Sequence, residues 1–151
     1  MPALYIGQEL QGWVSPDVMD AVAEELGVPR SHVLATATFY TMFNKKPVGR
    51  FHLQVCTNVA CSLRGGVQIV AALKERLGIE AGETSADGLF TLHEVECLAA
   101  CGTAPVMQVN DDYHEGLDVP AAMAIVDGLI AEAKAAGLAR TGDAARQERD
   151  A

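Results

Sequence analysis

Val55-Cys56-Thr57-Asn58-Val59-Ala60-Cys61-Ser62-Leu63-Arg64-Gly65-Gly66 is one half of a motif. Its other half, Glu96-Cys97-Leu98-Ala99-Ala100-Cys101-Gly102-Thr103-Ala104-Pro105, lies further along the chain. All four cysteines of the 151-residue protein fall here, as C-x4-C and, after 35 intervening residues, C-x3-C. Each pair follows a run with strand character. Phe51, Leu53 and Val55 alternate with His52 and Gln54, and Phe90 and Leu92 alternate with Thr91 and His93, the period of a strand with one buried face. Between the runs, Gly66–Leu77 sets Val67, Val70, Leu73 and Leu77 on one helical face and meets Gly78; Glu80–Gly88 then reads as a loop. Strand, helix, strand predicts a right-handed crossover and a parallel pair. Two strand ends would deliver two thiol pairs to one edge of a sheet.

Downstream, Val106–Val109 reads as a third short strand, Asn110-Asp111-Asp112 as a turn and Tyr113-His114-Glu115 as a fourth strand closing a hairpin. Asp118-Val119-Pro120 caps a last helix running to about Ala136, with Ala122, Val126, Leu129 and Ala133 as its core stripe. Residues 137–151 are polar, lack an apolar face and are expected to be disordered. Upstream, the first ~50 residues read as helical. Ser15-Pro16-Asp17 starts one helix, with Val18, Met19, Val22 and Leu26 at helical spacing before Gly27. Arg30-Ser31-His32 opens another, carrying Val33, Leu34, Ala37 and Met42. Its segment Thr36-Ala37-Thr38-Phe39-Tyr40-Thr41 is strand-prone by composition, yet its position after a helix start predicts helix. Asn44–Gly49 is a polar, Pro/Gly-containing connector. The order βαβ then ββα is that of an α/β, thioredoxin-like domain with a mixed four-stranded sheet over residues 50–136, behind a helical segment over 1–49.

Half the residues are hydrophobic, enough for a sizeable core, although aromatics make up only 5%. No apolar run approaches the ~18–20 residues that span a bilayer, and Met1-Pro2-Ala3-Leu4-Tyr5 has neither the basic nor the apolar region of a signal peptide. A cytoplasmic protein without membrane insertion is expected. In that compartment, paired cysteines favour metal or redox chemistry over structural disulfides. The net charge of −9 argues against a nucleic-acid partner.

A [2Fe–2S] core takes two ligands per iron, most often cysteine thiolates. Cys56 and Cys61 are assigned to one iron, Cys97 and Cys101 to the other. The negative charge of such a site calls for backbone donors. Ser62–Gly66 offers free N–H groups and a helix N-terminus near Cys61; Gly102 and Thr103 offer amides beside Cys101; Ala99 and Ala100 are small enough for close approach. Arg64 brings a positive charge to the first loop or is simply solvated. Structural zinc is the strongest competing reading, although zinc sites usually draw tighter C-x2-C pairs. A thiol–disulfide enzyme would favour C-x-x-C at a helix start. Chance clustering of core cysteines in two such turns is the weakest reading.

His93, four residues before Cys97, is a conceivable further ligand or a packed surface residue; His32, His52 and His114 suggest no catalytic pair. Asp111-Asp112 is explained by the hairpin turn. Trp13 with Phe39, Tyr40 and Phe43 is expected to form the core of the helical segment or, alternatively, a partner interface. No phosphate-cradling glycine motif is present, so no catalytic residue is assigned.

The stretches Gly7-Gln8-Glu9-x-x-Gly12-Trp13, Ala37-Thr38-Phe39-Tyr40-x-Met42-Phe43, Val55-Cys56-Thr57-Asn58-x-x-Cys61 and Glu96-Cys97-Leu98-x-x-Cys101-Gly102-x-Ala104-Pro105 resemble the thioredoxin-like [2Fe–2S] subunit of respiratory NADH:quinone oxidoreductase (complex I). Similar subunits occur in NAD-reducing hydrogenases and NAD-dependent formate dehydrogenases. The resemblance covers about residues 4 to 136. It implies one [2Fe–2S] cluster on the four cysteines and a flavoprotein partner that binds FMN and NADH. It also implies a place in the peripheral arm of a membrane-associated complex, with the cluster off the main path to quinone. Family members usually carry a further helical stretch ahead of the Gly7-Gln8-Glu9 region, where this chain has almost none.

Overall fold

The computed structural model describes residues 1–138. These divide into two units, one over Met1–Val48 and one beginning at Gly49. The first unit is three helices: α1 (Pro2–Gln11), α2 (Pro16–Leu26) and α3 (Arg30–Phe39). Caps define them. The Ser15 hydroxyl accepts the Val18 N–H at 3.1 Å, Pro16 occupies the start where its missing N–H costs nothing, and Gly27 ends α2 at φ 61°. Of the strand-prone Thr36–Thr41 stretch, expected to be helical throughout, Thr36–Phe39 is helical and Tyr40 turns extended at φ −90° and ψ 127°, ending α3 before Thr41 and Met42. The Thr36 and Thr38 hydroxyls are satisfied locally, donating to the carbonyls of His32 and Leu34 at 2.9 and 2.8 Å. Gln8 ties the unit's last loop to α1: its amide donates to the Met42 carbonyl at 3.1 Å and its oxygen accepts the Asn44 N–H at 2.7 Å.

The core of this unit is Leu4, Val14, Val18, Met19, Ala23, Val33, Ala37 and Phe43. Of the aromatics expected there, Phe43 is fully buried, Trp13 is partly buried, Tyr40 is exposed and Phe39 is 78% exposed. Leu26, Leu34 and Met42 also face solvent rather than the core. Ala23 takes the place assigned to Leu26, so the buried stripe of α2 ends one turn earlier than the apolar pattern.

In the second unit the central strand is β1 (Phe51–Cys56). It pairs in parallel with β2 (Phe90–Val95), from Phe51 opposite Phe90 to Cys56 opposite Val95. On its other side it pairs antiparallel with β3 (Met107–Val109), which pairs with β4 (Asp112–His114); the order is β2-β1-β3-β4. A short helix, α4 (Val59–Leu63), follows β1, and the long helices α5 (Gly66–Leu77) and α6 (Val119–Ala135) complete the unit. Phe51, Leu53, Val55, Phe90 and Leu92 meet Ile69, Val70 and Leu73 of α5 and Ala122, Val126 and Ala133 of α6 in one core. Val67, expected in the α5 stripe, is half-exposed, and Ile69 stands in its place. Leu129 is only partly buried.

The Asp118 carboxylate caps α6 by accepting the Ala121 N–H at 2.8 Å. The loop before β2 folds back along that strand's free edge: the Gly82 and Ser85 amides donate to the Leu92 and Phe90 carbonyls, both at 2.7 Å. An edge open to pairing with other chains is thereby covered. Among the described residues no helix is long and apolar enough to cross a membrane. The polar tail expected over residues 137–151 lies, from residue 139 onward, outside the described residues.

Candidate metal centre

Because β1 and β2 run in parallel, both C-terminal ends open on the same edge of the sheet, with Cys56 closing β1 and Cys97 two residues beyond β2. The ladder continues past the strands through Cys56 N–H to the Val106 carbonyl and Thr57 N–H to the Val95 carbonyl, both at 3.1 Å. Asn58 then caps α4, its side chain accepting the Val59 N–H at 2.7 Å. That single helical turn carries Cys61 back into the interior, where it is as buried as Cys56. Sequence periodicity does not delimit this turn, because a five-residue helix is too short to show a repeat.

Gly66 fixes where α5 begins. A Cβ there would sit 2.7 Å from the Cys56 carbonyl oxygen and 2.9 Å from that of Cys61, so only glycine permits the approach. The first turn of α5, with its unpaired N–H groups and positive dipole end, therefore abuts the backbone of both cysteines. Anionic thiolates are favoured beside it.

The second loop offers a donor by another route. Ala99 has φ +58°, in the left-handed region uncommon for a residue with a side chain, and its N–H donates to the Cys97 sulfur at 3.2 Å. A 3-10 turn over Cys101–Thr103 follows, in which the Thr103 amide is spent on the Ala100 carbonyl at 3.1 Å. Of the amides expected beside Cys101, those of Gly102 and Thr103, Thr103's closes a turn instead; the amide that faces a sulfur is that of Ala99, expected only to be small enough for close approach.

Cys56 and Cys61 are packed with Ala104 and Val106, flanked by Ala60, Val95, Leu98 and Ala100, in a small apolar cluster separate from the main core. Cys97 and Cys101 are exposed, and all four thiols are free. Burial pushes the Cys61 thiol above its ordinary value; the hydrogen bond and charge of Cys56 and the charge of Cys101 push the same way, against a backbone hydrogen bond from Val106. Thiols of both loops thus sense one another. Ionising them together requires a compensating cation, so metal binding and proton release are coupled. Among the described residues no group of three or more His, Cys, Asp or Glu side chains stands ready to hold a single metal ion. A two-iron core asks each metal for only two thiolates; Cys56 and Cys61 lie together in one buried cluster, and Cys97 and Cys101 are exposed on the second loop. Four free thiols, an apolar cluster around Cys56 and Cys61 and an amide donating to the Cys97 sulfur fit that two-iron core.

The remaining candidates fall elsewhere. The His93 Nδ1 lies 2.6 Å from the His52 Nε2, with the two rings edge-to-face. Burial, then the charge of His93, lowers the His52 pKa from 6.5 to about 4, and burial lowers His93 as well. The pair links β1 to β2 as a diagonal cross-strand contact, and the register alone could have suggested it. Asp111 and Asp112 are exposed at the β3–β4 turn. Asn110 organises that turn at φ +54°, its side chain accepting the His52 N–H at 2.9 Å and donating to the Arg50 carbonyl at 3.1 Å. His32 lies exposed on α3 and His114 half-buried on β4, neither paired with another histidine by a hydrogen bond. Arg64 is engaged: its Nε donates to the Ala104 carbonyl at 2.7 Å.

The chain is similar in sequence and in fold to proteins of known identity. An NADH-quinone oxidoreductase subunit of Rhizobium meliloti (strain 1021) is 51% identical over 136 residues, covering 90% of this chain and 79% of the relative. The corresponding NADH-quinone oxidoreductase subunit of Rickettsia bellii (strain RML369-C) is 46% identical over 130 residues, covering 85% and 78%. Among solved structures, an NAD+-reducing [NiFe]-hydrogenase in the air-oxidized state superposes with a TM-score of 0.74 at 19% identity, a likeness of fold. The match covers 86% of this chain and spans 23% of the hydrogenase chain. Residues 1–130 match the model of the thioredoxin-like [2Fe-2S] ferredoxins, and the chain belongs to that family.

Proposed function

We propose that Cys56 and Cys61 hold one iron, and Cys97 and Cys101 the other, of a single [2Fe–2S] cluster. The chain is then the one-electron carrier subunit of an NADH:quinone oxidoreductase, set beside a partner that binds FMN and oxidises NADH. The observation that carries this reading is that two loops, each bearing two free cysteines, leave the adjacent C-terminal ends of a parallel strand pair. Membership of the family and the names of its relatives support it.

When bound, such a cluster supplies one-electron transfer. The chain's own residues make that possible. The thiolates bind. The Ala99 amide and the start of α5 stabilise negative charge. Ala104, Val106 and their neighbours exclude water from the Cys56/Cys61 side. The exposed Cys97 and Cys101 mark the side on which an electron donor can approach.

Hydride transfer moves two electrons at once, and that chemistry belongs to a flavin or nicotinamide cofactor. No dinucleotide fingerprint occurs in this sequence, so the hydride step is assigned to the partner. Exposed Phe39, Tyr40 and Met42 in the first unit are suited to dock it, since aromatics and methionine are enriched at interfaces. The chain's place is in the peripheral arm of the complex, a placement compatible with the lack of a membrane-crossing helix among the described residues.

Anaerobic titration with NADH tests the reading. The visible absorbance bleaches rapidly only when the flavoprotein is added; rapid bleaching of the isolated, flavin-free chain would contradict it.

A further inference from the structure

Among the described residues, Arg64 is the one side chain other than a cysteine that joins the two ligand loops by a hydrogen bond. Its position is fixed from both ends. Its backbone N–H donates to the Cys61 carbonyl at 3.2 Å, and its Nε donates to the Ala104 carbonyl at 2.7 Å. Ala104 is itself buried and packs with Cys56 and Cys61, three residues after Cys101. The guanidinium is therefore held against the second loop by a group rooted in the first. One of its five N–H groups is used; four donors and a permanent positive charge remain. The site beside it gathers thiolate charge, and reduction of a bound cluster adds one more negative charge.

We propose that Arg64 is a positioning residue for the cluster, strapping the Cys97–Cys101 loop to the Cys56–Cys61 loop and holding a fixed positive charge beside both. It thereby slows the loss of iron and raises the reduction potential. This rests on the functional reading above. Lysine separates the two roles, because it keeps the charge but presents a single ammonium at the end of a flexible stem in place of a rigid fork.

The test uses the purified, cluster-bearing chain as wild type, Arg64→Gln and Arg64→Lys. Two quantities are read: the decay of visible absorbance in a strong iron chelator, and the midpoint potential by spectroscopically monitored titration. Arg64→Gln should release iron about tenfold faster or more, the scale of losses when outer contacts that orient a metal site are removed, and its midpoint should move down. Arg64→Lys should also release iron faster, with a midpoint close to wild type. Wild-type release and midpoint in Arg64→Gln would overturn the proposal; faster release with an unshifted midpoint would also overturn it, leaving a mere brace. Should Arg64→Gln accumulate no cluster, wild-type release from Arg64→Lys overturns it. A wild-type chain without iron and sulfide would instead refute the functional reading, and this one with it.

Discussion

Cys97 is both solvent-exposed and the sulfur to which a backbone amide is aimed. Cys97→Ser replaces a soft thiolate by a harder, poorer ligand while leaving the loop geometry almost unchanged. Most of the visible absorbance should be lost after purification; an unchanged spectrum and unchanged reduction behaviour would remove Cys97 from the ligand set. The His52–His93 contact makes a different prediction. His52 is buried and titrates near 4 when folded against 6.5 in the unfolded chain. The unfolded chain therefore binds a proton that the folded chain refuses in that window. Stability from the neutral pair is fully present above about pH 6.5 and drains away as the pH falls towards 4, by up to about 1.4 kcal/mol per pH unit for one full proton. Urea midpoints at pH 7.5 and 5 should fall further apart in wild type than in His52→Gln; equal separations would contradict the assignment. The cysteines were legible because all four lie in two tight motifs. The histidine pairing was not, because it follows from the β1–β2 register, which strand alternation in the sequence does not fix.

At the scale of elements, α5 is the piece on which the site leans. Gly66→Ala drives a methyl into the carbonyls of Cys56 and Cys61, which are backbone atoms and cannot swing aside. Overpacking of this kind costs typically about 1–3 kcal/mol. The unfolding midpoint should drop accordingly, and the purified protein should carry less iron. An unaltered midpoint with full cluster content would show that the helix start is not pinned there. The helix boundaries at Ser15, Gly27, Gly78 and Asp118 could be read in advance, since these are local signals acting within a turn; the β2-β1-β3-β4 order could not, because β1 pairs with β3 across a long stretch of chain. Helix faces were harder. In α5 the stripe through Val67, Val70, Leu73 and Leu77 competes with one through Ile69, Val70 and Leu73. Periodicity measures how amphipathic a helix is; the sheet it packs on decides which residues turn inward. The same gap placed Leu26, Leu34 and Phe39 in a core that excludes them.

For the whole molecule, electron delivery needs a partner and a surface to receive it. Phe39, 78% exposed, contributes almost nothing to its own unit's core. Phe39→Ala should therefore leave folding and visible spectrum intact while weakening association with the flavoprotein by more than about 1 kcal/mol, over fivefold in Kd, as for an anchoring aromatic. Titration calorimetry of the two purified chains checks it, and an unchanged Kd would take Phe39 out of the interface. Carrier function and partner alike depend on what the four thiols hold. The most direct measurement is therefore quantitative analysis of iron, zinc and acid-labile sulfide in the purified chain. Iron and sulfide should be found in equal amounts with no stoichiometric zinc; stoichiometric zinc without sulfide would rule out a [2Fe–2S] site on these thiols.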